Sequence, residues 1–144
     1  MQVIGVDFDN TFVNNMGFFK HLLMTWDDYY HVFFLSSRQR LDVIADLWSF
    51  GVHRHLYTDV LSVLPARSVS ATIDYRARAS RTLHEILFRN IQVYFDDCPV
   101  HINMFRSFGV HCLPTVLVEG YNQCPTTIIQ RSHEPISSYM NQLL

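Results

Sequence analysis

Three short apolar runs in this chain each stop abruptly on polar residues. Val3-Ile4-Gly5-Val6 ends at Asp7, His31-Val32-Phe33-Phe34-Leu35 at Ser36-Ser37, and Ile91-Gln92-Val93-Tyr94-Phe95 at Asp96-Asp97. Runs of this length, rich in β-branched and aromatic residues, fit buried strands. The segments between them carry a helical period instead. Leu41, Ile44, Ala45, Leu47 and Trp48 recur through residues 38–50, and Gly51 supplies a stop. Ala79, Leu83, Ile86 and Leu87 share one face of a helix that Asp74 would cap and Asn90 would end. Pro99 opens a further helix that Gly109 closes, and a short one fits residues 18–26. Strand and helix in alternation predict an α/β fold. We expect a Rossmann-like three-layer α/β/α arrangement around a mainly parallel sheet of about five strands. The third strand is expected at 52–57 and the fifth at 110–118, with an extra strand at 126–130 and a terminal helix at 135–144. Residues 60–70 show no clear period.

A chain of 144 residues suits a single domain, 1–144. Its core would lie in about 1–111, with 112–144 adding the last core strand and a C-terminal extension. An apolar share of 49% against 17% charged residues fits a packed interior. A net charge of −2 gives no general attraction to nucleic acid or anionic lipid. No apolar run approaches the roughly 18 residues of a membrane span. The N-terminus reaches an acid at Asp7 without a basic leader, so no signal peptide is expected. Cys98, Cys112 and Cys124 lack metal-type spacing, which predicts a reduced, cytoplasmic protein.

In an open parallel sheet, ligands bind outside the carboxyl ends of the strands. If the three runs are parallel neighbours, Asp7, Ser36, Asp96 and Asp97 converge on one crevice. Each could instead be a turn former or a helix cap, and Asp97 and Ser37 in particular stand where the next helix would need one. In extended backbone Asp7 and Asp9 project to one side and Phe8 to the other. Two carboxyls so placed suit a nucleophile beside a general acid–base. Four carboxylates in one crevice would repel one another unless a hard divalent cation joined them. An all-oxygen donor set of this kind suits Mg2+.

Asp7-Phe8-Asp9-Asn10-Thr11 resembles motif I, DxDx(T/V), of the haloacid dehalogenase (HAD) superfamily of phosphohydrolases. Ser36 at the end of the second apolar run resembles motif II, and Asp96-Asp97 resembles the acidic motif IV. The likeness spans about residues 1–111 with its motifs in order. It implies a Mg2+-dependent phosphomonoesterase in which Asp7 is phosphorylated and Asp9 serves as acid and base. Asp7, Asp96, Asp97 and the Asp9 carbonyl would hold the metal. Thr11 and Ser36, with Ser37 as the weaker candidate, would bind the phosphoryl group. The family's motif III lysine has no counterpart, because the only lysine is Lys20. Arg76, Arg78 and Arg81 are the substitutes. Arg76 shares the face of Ala79 and Leu83, whereas Arg78 and Arg81 are expected to project into solvent.

Residues 12–35 and 38–75 leave no space for a cap domain, so a capless, open, nucleotidase-like site is expected. Such a site suits nucleotides, nucleic-acid ends or phosphoproteins. Arg38, Arg40, Arg76, Arg78 and Arg81 could border its mouth, and an exposed C-terminal strand would suit a homodimer. The alternative is a catalytically weak phosphate-binding or regulatory protein on the same scaffold. A receiver-like phosphoacceptor fits less well, since its acidic pair precedes the phosphorylated Asp. The histidines, His53, His55 and His101 among them, show no HxxxH or HExxH spacing and are taken as core or surface residues. The aromatic group Phe12, Phe18, Phe19, Trp26, Tyr29 and Tyr30 is taken as core rather than as a base-stacking platform.

Overall fold

The computed structural model describes residues 2–26, 29–63 and 75–114, with residues 26 and 75–77 as backbone only. Five strands, β1 (Gln2–Asp7), β2 (Tyr30–Ser36), β3 (Asp59–Ser62), β4 (Val93–Asp96) and β5 (His111–Pro114), form one sheet. Their order is β3-β2-β1-β4-β5 and every pairing is parallel. Four helices alternate with them: α1 (Met16–Trp26), α2 (Arg40–Ser49), α3 (Tyr75–Phe88) and α4 (Pro99–Ser107). The expected parallel α/β architecture is therefore present.

The strands are apolar on both sides because both sides are covered. Ile4, Val6, Val32, Phe34, Val60, Val93 and Phe95 pack with Phe19, Leu22, Leu23, Val43 and Leu47, beneath α1 and α2. Phe33, Leu35, Leu61, Tyr94 and Cys112 pack on the opposite face with Ala79, Leu83, Ile86, Ile102 and Phe105, beneath α3 and α4. These are the three layers. Gly5 lies on the second face, where an added Cβ would stand 3.0 Å from the Tyr94 ring and 3.1 Å from Ile91. The absence of a side chain there lets β1 sit close under its neighbours. Gly51 and Gly109, with φ near +83° and +82°, and Asn90 at +55° follow the ends of α2, α4 and α3 as expected. Phe12, Phe19 and Tyr30 are core residues, while Tyr29 is exposed.

The third strand differs from expectation. It occupies 59–62 rather than 52–57, because Arg54–Leu56 form a single helical turn, with His53 just before it and His55 within it, both in solvent. The alternation at 52–57 imitates a half-exposed strand, but only Val60 and Leu61 satisfy both faces of the sheet. The expected strand at 126–130, the helix at 135–144, the far end of 110–118, Cys124 and the Asp74 cap lie outside the described residues.

Tyr57, just before β3, is 6% exposed and lies edge-on to Phe34 at 5.4 Å. Its hydroxyl is buried with no hydrogen-bond partner among the described residues. A buried hydroxyl without a partner costs about 1–3 kcal/mol. Tyr57→Phe keeps the ring contacts and removes that cost, so it should raise stability by roughly 1 kcal/mol in urea unfolding. A loss of stability would mean that the hydroxyl is satisfied after all.

Candidate active site at the strand carboxyl ends

The chain runs outward from β1 to β2 and β3, then returns to the other side of β1 for β4 and β5. The connection thus reverses direction between β1 and β4, the place where a parallel sheet opens a crevice at its carboxyl edge. β1 and β4 are paired up to Val6 and Phe95. The next residues, Asp7 and Asp96, end the two strands side by side, still paired on their outer sides with Leu35 and Pro114. Both are buried, at 3% and 2% exposure. Asp97 follows as an exposed residue. One carboxylate oxygen from each of Asp7, Asp96 and Asp97 lies within 4.8 Å of the others.

Residues 8–12 form one wide turn. Asp9 is extended (φ −70°, ψ 133°), Asn10 has φ of 65°, and the Val13 N–H closes onto the Phe8 carbonyl. Asparagine tolerates that left-handed backbone better than most residues. Phe8 and Phe12 anchor the turn in the core, stacked on each other at 5.7 Å. The turn brings the Thr11 hydroxyl to 3.0 Å from Asp7 Oδ2 and 3.3 Å from Asp97 Oδ1. A hydroxyl has one hydrogen to give, so it serves one carboxylate at a time. Buried Asn15 donates its amide to the Thr11 carbonyl at 2.8 Å and holds the turn from below.

The second acid takes a different direction. Asp9 Oδ2 accepts a hydrogen bond from Ser36 Oγ at 2.9 Å, and Asp9 Oδ1 lies 3.7 Å from Arg38 Nη1. The Asp9 side chain therefore stands against the end of β2, apart from the three clustered carboxylates. Ser37 follows half-buried, and α2 starts from Gln39 rather than from a serine cap. Asp97 does not cap α4 either. That helix begins from Cys98, whose N–H donates to Asp96 Oδ1 at 3.0 Å.

The basic residue at the site corrects the expected face of α3. Arg78 Nη2 lies 3.5 Å from Asp7 Oδ1 with its side chain only 18% exposed. Arg81 is exposed, and the Arg76 side chain lies outside the described residues. The apolar pattern suggested a buried stripe through Leu83 and Leu87. Leu87 is 59% exposed, however, and buried Thr82 takes a place on the stripe, its hydroxyl bonded to the Arg78 carbonyl at 2.9 Å. A stripe through 78, 82 and 86 puts Arg78 above the crevice.

These neighbours set the charge at the site. Burial first, then the Asp96 charge, pushes the Asp7 carboxyl well above its ordinary range, while Arg78 and Thr11 pull the other way. Desolvation by its neighbours, then Asp96, raises Asp97. The three acids thus crowd together with the Arg78 guanidinium beside them. Their hard oxygens could together hold a metal ion. Burial and the Asp96 charge push the Cys112 thiol up to about 12, which leaves it an inert core residue.

Two participants carried no signal in the spacing of residues. His101 is buried, with Nδ1 3.4 Å from Asp96 Oδ2. It occupies a stripe of α4 shared with Ile102 and Phe105, so only that period marks it as inward-facing. Arg38 and Arg40 were among the arginines that could border the mouth. Arg38 pairs with Asp46 at 2.6 Å and Arg40 with Asp59 at 2.8 Å, so neither presents an unopposed positive charge. Compared with protein-family models, curated proteins and solved structures, the chain matches none.

Proposed function

We propose that the protein is a capless, HAD-like phosphohydrolase that cleaves phosphomonoesters through phosphorylation of Asp7. The observation that carries this reading is the grouping of Asp7 with Asp96 and Asp97 at the point where the sheet reverses, with Asp9 two residues away on a separate support. A carboxylate pair divided in this way fits one group that attacks and one that moves protons. Asp7, Asp96 and Asp97 would hold Mg2+, which when bound offsets the negative charge of the acids and of the phosphoryl oxygens.

An Asp7 oxygen attacks phosphorus, the bond from phosphorus to the ester oxygen breaks, and Asp9 gives that oxygen its proton. Water then attacks phosphorus, Asp9 takes its proton, and the Asp7–phosphorus bond breaks to release inorganic phosphate. Arg78 faces the oxygen of Asp7 that its guanidinium can share with a phosphoryl group, whose planar fork suits two acceptors. Thr11 steadies the other Asp7 oxygen.

Residues 12–35 are taken up by a short turn, α1 and β2, apart from two residues not described, so no cap domain is inserted there. A site without a cap at that position would suit a nucleotide, a nucleic-acid end or a phosphoprotein. No helix of the described residues is long and apolar enough to cross a membrane.

The test is turnover of a panel of phosphomonoesters with and without Mg2+, followed by acid quench and intact-mass measurement. The expected result is Mg2+-dependent release of phosphate and an added phosphoryl group on Asp7 that hydroxylamine removes. Absence of turnover across the panel, with cation binding retained, would point to a phosphate-binding regulatory protein on this scaffold.

A further inference from the structure

Arg38 is held more firmly than an ordinary surface arginine. Its Nη1 lies 2.6 Å from Asp46 on α2, its guanidinium carbon stands 5.9 Å from the Phe8 ring, and its carbonyl accepts from Ser62 Oγ at 3.0 Å. The same Nη1 reaches to 3.7 Å from Asp9 Oδ1. Its backbone N–H donates to Ser36 Oγ at 3.0 Å. That bond takes up one lone pair of the hydroxyl and leaves the hydroxyl hydrogen for Asp9 Oδ2 at 2.9 Å. Both oxygens of Asp9 are therefore addressed by one residue, one directly and the other through Ser36.

Exposed ion pairs contribute little to stability, and the Arg38 and Asp46 side chains are 40% and 39% exposed. The consequence of this network is geometric. Asp9 is 34% exposed on a turn with left-handed Asn10 beside it, and its carboxylate could otherwise swing to solvent or into the three-acid cluster. The Arg38 charge is already shared between two carboxylates, so it is poorly suited to bind a substrate phosphate of its own.

We propose that Arg38, anchored by Asp46, is a positioning residue that holds Asp9 where it delivers a proton to the leaving group. This rests on the phosphohydrolase reading above. An aryl phosphate with an acidic phenol needs no proton to leave, whereas an alkyl phosphate does. The second-order rate kcat/KM covers steps only up to departure of the leaving group, so it isolates that proton transfer from later hydrolysis of phospho-Asp7.

The experiment compares kcat/KM for p-nitrophenyl phosphate and for a primary alkyl phosphate in wild type, Arg38→Ala, Arg38→Lys, Asp46→Asn and Asp9→Asn. Arg38→Ala should lose about 10–100-fold on the alkyl ester, a fraction of what general acid catalysis contributes, and only a few-fold on the aryl ester. Asp46→Asn should show the same selectivity at smaller amplitude, and Arg38→Lys should recover part of the loss. Adding Arg38→Ala to Asp9→Asn should cost nothing further on the alkyl ester. Equal losses on both esters, or an additive double mutant, would overturn the positioning role while leaving the phosphatase reading intact. A wild-type protein inactive on both esters would overturn the phosphatase reading, and the proposal with it.

Discussion

Asp7→Asn should abolish phosphomonoester hydrolysis, by on the order of 10^4-fold or more, and at the same time raise the melting temperature of the chelator-treated protein. The two effects have one cause. The Asp7 carboxyl is buried beside Asp96, and that environment disfavours its charge. In the unfolded chain the same group titrates near its ordinary value of 3.8. Between that pH and the higher folded value, the native state binds more protons than the unfolded state. Stability contributed by this group therefore falls as pH rises through the interval, by about 1.4 kcal/mol for each unit of separation.

An amide carries no such penalty. Its carbonyl can accept from Arg78 and its NH2 can donate to the Thr11 hydroxyl, the two partners that Asp7 now uses. The expected gain at neutral pH is several degrees, at roughly 2–4 °C per kcal/mol for a chain near this length. Calorimetry in EDTA paired with a phosphate-release assay checks both halves. Wild-type turnover in the variant would remove Asp7 from the chemistry, and a lower melting temperature would remove the strain attributed to its burial. A nucleophile kept at the expense of stability is an ordinary trade at an active site.

What could be read from residues alone follows from how local each determinant is. The strand ends at Asp7, Ser36 and Asp96 were visible because each is a sharp change from apolar to polar in a strand buried on both faces. The helix ends at Gly51, Asn90 and Gly109 were visible because a left-handed residue has a short list of occupants. Strand order is set by long-range pairing, and no residue announces it. β3 was misplaced because exposed His53 and His55 stand two residues apart between apolar Val52 and Leu56-Tyr57, as a strand's outward side chains would.

Arg78 was assigned to solvent for a related reason. The face of α3 was drawn through hydrophobic residues only, while burial of Thr82 and exposure of Leu87 turn that face by one residue. A hydroxyl bonded back to its own helix loses its polar demand and packs like a small apolar group. The partners of Arg38 and His101 were not legible because their contacts with Asp9 and Asp96 arise only when separate strands are brought together.

Mg2+ should raise the melting temperature strongly at pH 8 and weakly at pH 5.5. Cation and proton compete for the same oxygens, since a carboxyl must be ionised to ligate a hard metal. Asp7 and Asp97 are both raised, Asp7 the more so, first by burial and then by the neighbouring Asp96. As the pH falls, Asp7 takes up its proton earlier than an ordinary carboxyl would, and the cation must displace that proton before binding. In alkaline solution the acids are ionised, mutually repelling and destabilising, and a divalent ion relieves that repulsion. The metal-free protein should therefore lose stability from pH 5.5 to pH 8, and the Mg2+-loaded protein should lose less. At a free concentration 100-fold above Kd, binding to the native state alone contributes about 2.7 kcal/mol, or on the order of 5–10 °C at this chain length. Asp96→Asn, which removes a charge from the buried centre of the cluster, should abolish most of the Mg2+ response. Asp97→Asn, at an exposed position, should reduce it by less. Differential scanning fluorimetry across pH, with and without the ion, reads all of these. A Mg2+ shift independent of pH, or one that survives Asp96→Asn undiminished, would mean that the cation binds elsewhere and that these acids do not form its site.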